Sequence, residues 1–330
     1  YVHSSIAIMM SDEGYVHEVG NSGKRRRRLI YGGIFVVVLV VVVVIIVVLT
    51  AGGGGGSDAP STGGGGNGAQ SSIDLQDRIH AVLDAGDADS AAAASVAWQD
   101  PNSYQSKALS WLVSDFEGNN YLEAQLLQRY SLACLYYATY SIVTLYSETP
   151  TPWKVTTNWL SSKNECEWHG IECTYSQVTG ISLIDNGLTG KLPMELVLMK
   201  TTLNSIDFSV NTLYMTGNEL DVFGRLTKLH TIIMDDNYLL TTDGLPSSLQ
   251  KCTDLEKINL SYNLLEGPMQ QNVLSSWSKL THMEIESNYL DGSFPSALGS
   301  LRQLVYLYIR RNNFQSNLDF VKVGNMANIF

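Results

Sequence analysis

His282, Glu284 and Glu286 alternate along one short stretch, and at a strand's period of two they project from the same side. An imidazole and two carboxylates are metal-ligating and proton-carrying chemistry. Three ligands on a flat, wet strand lack the outer groups that would orient them, so the stretch reads at most as a weak cation site. A second cluster is Cys166, His169 and Cys173 with Glu167 and Glu172. Its thiols can close a disulfide, which an oxidising compartment favours, or ligate zinc, although eight residues space a tetrahedral set poorly. The third group combines Asp207, Asp235, Asp236, Glu284 and Glu286 with Tyr306, Tyr308, Arg310 and Arg311, charge and aromatic surface suited to holding a ligand. No Gly-x-Ser-x-Gly elbow, His-Glu-x-x-His helix or kinase signature set occurs, and the histidines have no recurrent carboxylate partner. The sequence therefore reads as a non-enzyme without a catalytic residue, cofactor or resident metal.

The net charge of −11 over 330 residues argues against nucleic-acid binding, which needs a basic face to displace counterions. With 45% hydrophobic and 16% charged residues the chain is not disordered throughout, and its 4 cysteines exclude a disulfide-dense scaffold. The charge is zoned. Residues 1–33 carry five basic and three acidic side chains, which leaves −13 on the remainder.

Residues 29–49 are 21 consecutive uncharged residues, enough helix at about 1.5 Å per residue to span the roughly 30 Å core of a bilayer. Lys24, Arg25, Arg26, Arg27 and Arg28 immediately before them hold residues 1–28 in the cytoplasm by the positive-inside bias, and put residues 50–330 outside the cell or in a lumen. That tail is too short for a folded signalling domain. Residues 50–72 form a Gly/Ser-rich tether, without the Gly-Lys-Ser/Thr step of a phosphate loop.

Residues 73–150 show helical spacing. Ile73, Ile79, Val82 and Leu83 make one stripe; Leu109, Leu112, Val113 and Phe116 make a second, with Asp100-Pro101 as its expected cap and first turn. A third helix, from 121 to about 140, places Leu122, Leu126, Tyr130, Ala133 and Tyr137 on one face. The aromatics Trp111, Tyr130, Tyr136, Tyr137 and Tyr140 read as core rather than as a carbohydrate platform.

The elements that position the acidic and aromatic group are repeats. Asn186, Asn211, Asn237, Asn263, Asn288 and Asn312 recur at spacings of 25, 26, 26, 25 and 24, each in the frame apolar-x-x-apolar-x-apolar-x-x-Asn-x-apolar, as in Leu255, Ile258, Leu260, Asn263 and Leu265. One short parallel strand per repeat would turn its apolar residues inward, and an asparagine column would satisfy the turn backbones. Gly190-Lys191-Leu192-Pro193, Asp243-Gly244-Leu245-Pro246, Gly267-Pro268 and Gly292-Ser293-Phe294-Pro295 read as turns leading to short convex helices.

At these residues the sequence resembles the plant-type leucine-rich repeat, an α/β solenoid. Residues 151–177, with Trp159-Leu160 and the stretch from Cys166 through Trp168-His169-Gly170 to Cys173, look like that family's N-terminal cap, one residue short of its usual signature. The resemblance implies a Cys166–Cys173 disulfide and a Trp168 packed over the first repeat. Trp111-Leu112 and residues 127–133 look like single-pass membrane leucine-rich repeat proteins of diatoms and related algae. Cys134 and Cys252 read as buried free thiols. Residues 178–330 then hold six repeats and the approach to a seventh strand at Ile329, which stands 25 residues after Leu304, so that a longer native chain is expected.

Between the inward apolar residues, Ser182, Asp207, Ile233, Asn259, Glu284 and Tyr308 would form one concave column, and Ile184, Ser209, Asp235, Ser261, Glu286 and Arg310 the next. The candidate ligand residues are Asp207, Asp235, Glu284, Glu286, Tyr306, Tyr308 and Arg310. Asn259-Leu260-Ser261 is a glycosylation sequon whose glycan would cover the centre of that face. The expected role is recognition or adhesion toward a protein, peptide or glycan, with a co-receptor as a further partner and the membrane as anchor. A surface or wall scaffold without a specific ligand is the alternative. Resemblance to plant leucine-rich repeat receptors implies signalling, yet those place their repeats before the membrane helix, the reverse of the order here.

Overall fold

In the computed structural model, residues 74, 76–81, 95–116, 121–140, 152–315 and 328–329 are described. The predicted cytoplasmic tail, membrane span and tether lie outside them. Among the described residues no helix is long and apolar enough to cross a membrane.

The repeats stack through strands that the apolar frame dictates. Strands β1 (Ile171–Thr174), β2 (Gln177–Ser182), β4 (Ser205–Asp207), β6 (Thr231–Ile233), β8 (Lys257–Asn259), β10 (His282–Glu284), β12 (Tyr306–Tyr308) and β13 (Asn328–Ile329) form one sheet in that order. The β1–β2 pair is antiparallel and every later pair parallel. The central residue of each three-residue strand is buried and its neighbours are half-buried. Ile206, Ile232, Ile258, Met283 and Leu307 thus line the inside with essentially no exposure. The seventh strand exists, but Ile329 pairs with Leu307, not in the row of Leu304.

The asparagine column does what its chemistry implied. Asn237 Oδ1 accepts the Leu213 N–H at 3.0 Å, and its Nδ2 donates to the carbonyls of Phe208 (2.9 Å), Met234 (3.2 Å) and Asp235 (3.2 Å). Asn263, Asn288 and Asn312 repeat that pattern, each one repeat further along. Asn186 instead binds the cap, accepting from Val155 N at 2.7 Å and donating to Val155 O at 3.1 Å. Sequence spacing did not show the residue just before each asparagine. Asp185, Val210, Asp236, Tyr262, Ser287 and Arg311 all lie at φ between 48° and 60°, the left-handed region that turns the chain inward. Val210 is the most strained of them, because a β-branched side chain crowds there.

A second sheet was not anticipated. β3 (Thr189–Gly190), β5 (Thr212–Thr216), β7 (Tyr238–Thr241), β9 (Leu264–Pro268) and β11 (Tyr289–Asp291) form a five-stranded lateral sheet. Gly190 and Gly267-Pro268, read as turns, are strand residues in it. These strands have only two to five residues, too few for periodicity to register, although β5 alternates exposed and buried throughout. The convex pieces appear as expected, among them 3-10 turns at Met194–Met199, Ser247–Lys251 and Ser296–Ser300 and helices at Asp221–Arg225 and Gln271–Ser276.

Ahead of the repeats, residues 76–81 are helical with Ile79 buried, while Ile73, Val82 and Leu83 lie outside the described residues. Helices α1 (Tyr104–Phe116) and α2 (Glu123–Thr139) pack together and onto the convex turn of the first repeat. The start of α1 corrects the expected cap. Asp100-Pro101 only opens a turn, with Asp100 Oδ1 accepting Asn102 N at 2.9 Å, and the cap is Ser103, whose Oγ accepts Ser106 N at 3.0 Å. Leu122, expected on the buried face of α2, stands 78% exposed one residue before that helix begins, whereas Leu126, Tyr130 and Ala133 are buried.

The cap carries the Cys166–Cys173 disulfide, which leaves those thiols unable to ligate zinc. Cys134 and Cys252 are free and buried. Trp168 is buried against the first repeat and shares an aromatic cluster with Trp159, Trp153 and Tyr136. Trp111 joins that cluster edge-on to Trp168. Of the helical aromatics read as core, Tyr130 is buried and Trp111, Tyr136, Tyr137 and Tyr140 are half-buried against the core.

At the centre lies Arg129, fully buried on α2. Its Nε and Nη2 donate to Asp115 Oδ2 at 3.0 and 2.8 Å, its Nη1 to Glu165 Oε2 at 3.0 Å and Lys163 O at 2.9 Å, and its Nη2 also to Ser161 O at 2.8 Å. All five N–H groups therefore have acceptors. The guanidinium also lies 4.6 to 5.3 Å from the ring centroids of Tyr121, Trp168 and Trp111. Neighbouring Gln128 bonds Glu165 and accepts Val178 N at 3.2 Å, tying the same helix to β2.

Glu195, on the convex turn facing the helices, is buried and accepts the Tyr104 hydroxyl at 3.0 Å. Burial raises its pKa above the ordinary 4.5, against the lowering effect of its hydrogen bonds. The folded state therefore holds this proton to higher pH than the unfolded chain does. Stability due to this group is greatest below the unfolded value and falls as pH rises through the folded one. Glu195→Gln is expected to raise the urea midpoint at pH 7. Urea titrations of both proteins across pH should show that gain shrinking toward pH 4.

Candidate functional site: the concave sheet

The strand register fixes the concave surface. Ser182, Asp207, Ile233, Asn259, Glu284 and Tyr308 are paired successively across the sheet, which makes them one column. The ladder continues past the strand ends, since Asp236 N donates to Ser261 O at 3.0 Å, Tyr262 N to Glu286 O at 2.9 Å and Ser287 N to Arg310 O at 2.9 Å. Ser209, Asp235, Ser261, Glu286 and Arg310 are thereby held in the second column. All seven candidate residues stand on this one sheet; Arg310 is exposed and Asp207, Asp235, Glu284, Glu286, Tyr306 and Tyr308 are half-buried.

Register also gives a third column, Gly180, Ser205, Thr231, Lys257, His282 and Tyr306. Lys257 was absent from the candidate residues. Its signal was available, because it stands two residues before Asn259 and so shares that residue's face.

The surface is less uniformly acidic than the composition implied. Asp207, Asp235 and Asp236 form one group and Glu284 and Glu286 another. Ile233, Asn259 and Ser261 separate them. Ser261 is only 3% exposed, so the centre of the face carries no carboxylate, and the cation there is Lys257. Asp207 Oδ1 is held by Ser209, accepting from its N–H at 3.1 Å and its hydroxyl at 2.6 Å. Asn259 is similarly engaged, accepting Ser261 N at 3.0 Å and donating to Glu284 Oε2 at 3.3 Å. A glycan on Asn259 would replace one Nδ2 hydrogen and leave a single N–H for the bond to Glu284.

At the far end His282 stacks on Tyr306, centroids 4.5 Å apart, with its Nδ1 2.8 Å from the Thr281 hydroxyl. The imidazole is thus committed to the stack. Among the described residues no group of three His, Cys, Asp or Glu is placed to hold a metal ion. Tyr262, at the rim, has its phenol pKa raised by burial first and then by the Glu286 carboxylate, so it stays a neutral hydroxyl donor at physiological pH. The arrangement offers carboxylates for a cation, an aromatic platform beside them and guanidinium groups at the last described repeat.

The repeat frame, the parallel ladder and the asparagine column together define a leucine-rich repeat solenoid. No family model matches the chain. It is 31% identical over 188 residues to the serine/threonine-protein kinase BRI1-like 1 of Arabidopsis thaliana, which covers 53% of this chain and 15% of that protein. It is 34% identical over 197 residues to the systemin receptor SR160 of Solanum peruvianum, covering 51% of this chain and 16% of that protein. Among solved structures, the ectodomain of the receptor kinase GASSHO1/SCHENGEN3 from Arabidopsis thaliana superposes with a TM-score of 0.38 at 29% identity, over 42% of this chain and 16% of that one. Over about half of its length the chain is therefore similar to proteins named as plant receptors and receptor kinases. The chain spans about 15% of the length of these curated relatives.

Proposed function

We propose that this protein is a membrane-anchored recognition protein that binds a protein or peptide through its concave sheet. The observation that carries this reading is the ordered set of columns, in which carboxylates, the His282–Tyr306 stack and Arg310 face one way across parallel strands. Relatives named as receptors, including a systemin receptor and a brassinosteroid receptor kinase, support it. The apolar run at residues 29–49 and the basic collar before it support a single-pass anchor with the N-terminus cytoplasmic and the repeats outside. The helical segment keeps its resemblance to algal membrane-anchored repeat proteins as part of this reading. Catalysis is assigned to no residue, and signalling falls to a co-receptor.

The test is selection from a random peptide library on the full chain in detergent, followed by affinity measurement against variants. Selected peptides should carry basic residues. Tyr308→Ala/Arg310→Ala and Glu284→Gln/Glu286→Gln should each weaken them about tenfold or more, about 1.4 kcal/mol. Binders insensitive to both double variants would overturn the assignment. Terminal tags with protease on intact cells test the topology, and protection of the C-terminal tag would reverse it.

A further inference from the structure

Lys257 stands at the centre of the concave face, and among the described residues no carboxylate is ion-paired with it. Its neighbours across the sheet are Thr231 on β6 and His282 on β10, neither of them acidic. Asn259, two residues along on the same face, donates to Glu284 Oε2 at 3.3 Å and holds that carboxylate to itself. The carboxylates nearest in sequence serve another cation, since Asp254 is paired with Lys279 at 2.7 Å and Glu256 adds to the field at the same ammonium. Lys257 is half-buried, so it gives up part of its hydration and no acid of the described chain replaces it. Folding does not require a cation here, because Ser205 and Thr231 fill the same column in the two preceding repeats.

The charges on either side are of the opposite sign. Asp207 and Asp235 belong to the two repeats before Lys257, and Glu284 and Glu286 to the repeat after it. Along the solenoid axis the face therefore reads negative, positive, negative across strands about 4.8 Å apart. A uniformly basic ligand that met both carboxylate groups would set a cation against Lys257, and such like-charge contacts suppress a wrong partner. A ligand with a carboxylate between basic residues meets all three.

We propose, on the reading that the concave sheet binds peptides, that Lys257 is a specificity-determining residue selecting peptides that carry a carboxylate between two basic residues. The pattern favours an internal Asp or Glu as its source. A peptide whose C-terminal carboxylate sat at Lys257 would leave one flanking acidic group unmet. An extended peptide advances about 3.3 Å per residue, so the acid should stand within about three residues of each basic partner.

The experiment selects dodecapeptides from a random library on the full chain in detergent, once with the unmodified protein and once with Lys257→Glu. Peptides from the first should carry Asp or Glu flanked by Lys or Arg, whereas those from the second should be basic at the intervening position. For a synthetic peptide of the first set, Lys257→Met should weaken binding about tenfold, about 1.4 kcal/mol, while Lys257→Arg should keep it within about threefold. Exchanging the peptide's internal acid for its amide should cost the unmodified protein the same factor and cost Lys257→Met nothing further. That comparison separates a lost contact from a misfolded variant. Amidating the peptide's C-terminus should change nothing, and a loss there with indifference to the internal exchange would overturn the internal carboxylate. Peptides that respond to Glu284→Gln/Glu286→Gln but ignore Lys257→Met would overturn the role of Lys257 and leave the concave surface as the binding face. Selection of no peptide, or of peptides indifferent to every concave variant, would overturn both.

Discussion

Arg129→Met is expected to destabilise the helical segment and cap by about 3–5 kcal/mol, because it leaves buried carboxylates without their cation. Asp115 is 6% exposed and Glu165 fully buried, and both depend on the same guanidinium. A loss of this size approaches the whole stability of an ordinary domain, so the first repeat should lose its cover. Arg129→Lys is expected to rescue little. One ammonium with three donors cannot replace five hydrogen bonds to four acceptors arranged around a plane, nor lie flat among Trp111, Tyr121 and Trp168. Combining Arg129→Met with Asp115→Asn and Glu165→Gln should recover part of the loss, since the carboxylate charges are its main source. Urea denaturation followed by tryptophan fluorescence reads all of these variants. A single-variant loss below about 1 kcal/mol would show the pair to be solvated.

How much of this architecture could be read beforehand depends on the length over which each feature repeats. The solenoid was legible because the asparagine and its apolar frame recur six times, and the concave columns came with it because a strand's faces alternate. The lateral sheet was hidden by strands as short as Thr189–Gly190, where one apolar-polar alternation is indistinguishable from a turn. The left-handed residues were hidden for a chemical reason. Asp236 is a common occupant of that conformation, whereas Val210 and Tyr262 are not, so residue type carries no consistent signal. Arg129 was visible only as part of a resemblance. Its partners Asp115 and Glu165 are 14 and 36 residues away, and no local pattern joins them. For the site, the direction of each candidate side chain was legible, whereas its commitments were not. The Asn259–Glu284 and His282–Tyr306 contacts arise only when neighbouring strands are in register, whereas Asp207–Ser209 joins residues two apart in one repeat.

Asn263→Leu is expected to cost about 3–5 kcal/mol, from several buried polar groups losing partners at roughly 1–3 kcal/mol for each left unsatisfied. The side chain has 4% exposure, so water does not replace it. Its Oδ1 accepts Leu239 N at 2.9 Å and its Nδ2 serves the carbonyls of Met234, Leu260 and Ser261 at 3.0 to 3.1 Å. Leucine is close in volume, so a loss this large would come from hydrogen bonding rather than from a cavity. Asn263→Asp separates the two halves of the argument. An aspartate can still accept from Leu239 N, but when ionised it faces three carbonyl oxygens with no proton to donate. Its folded pKa should therefore rise, and the variant should regain stability as pH falls, while Asn263→Leu stays low throughout. Exposed Asn313→Leu is the control and should change stability by less than about 0.5 kcal/mol. Because repeats contact only their neighbours, the damage should begin locally. Amide exchange at Leu239 should rise before the urea transition, and uniform exchange along the array would contradict a column that acts repeat by repeat.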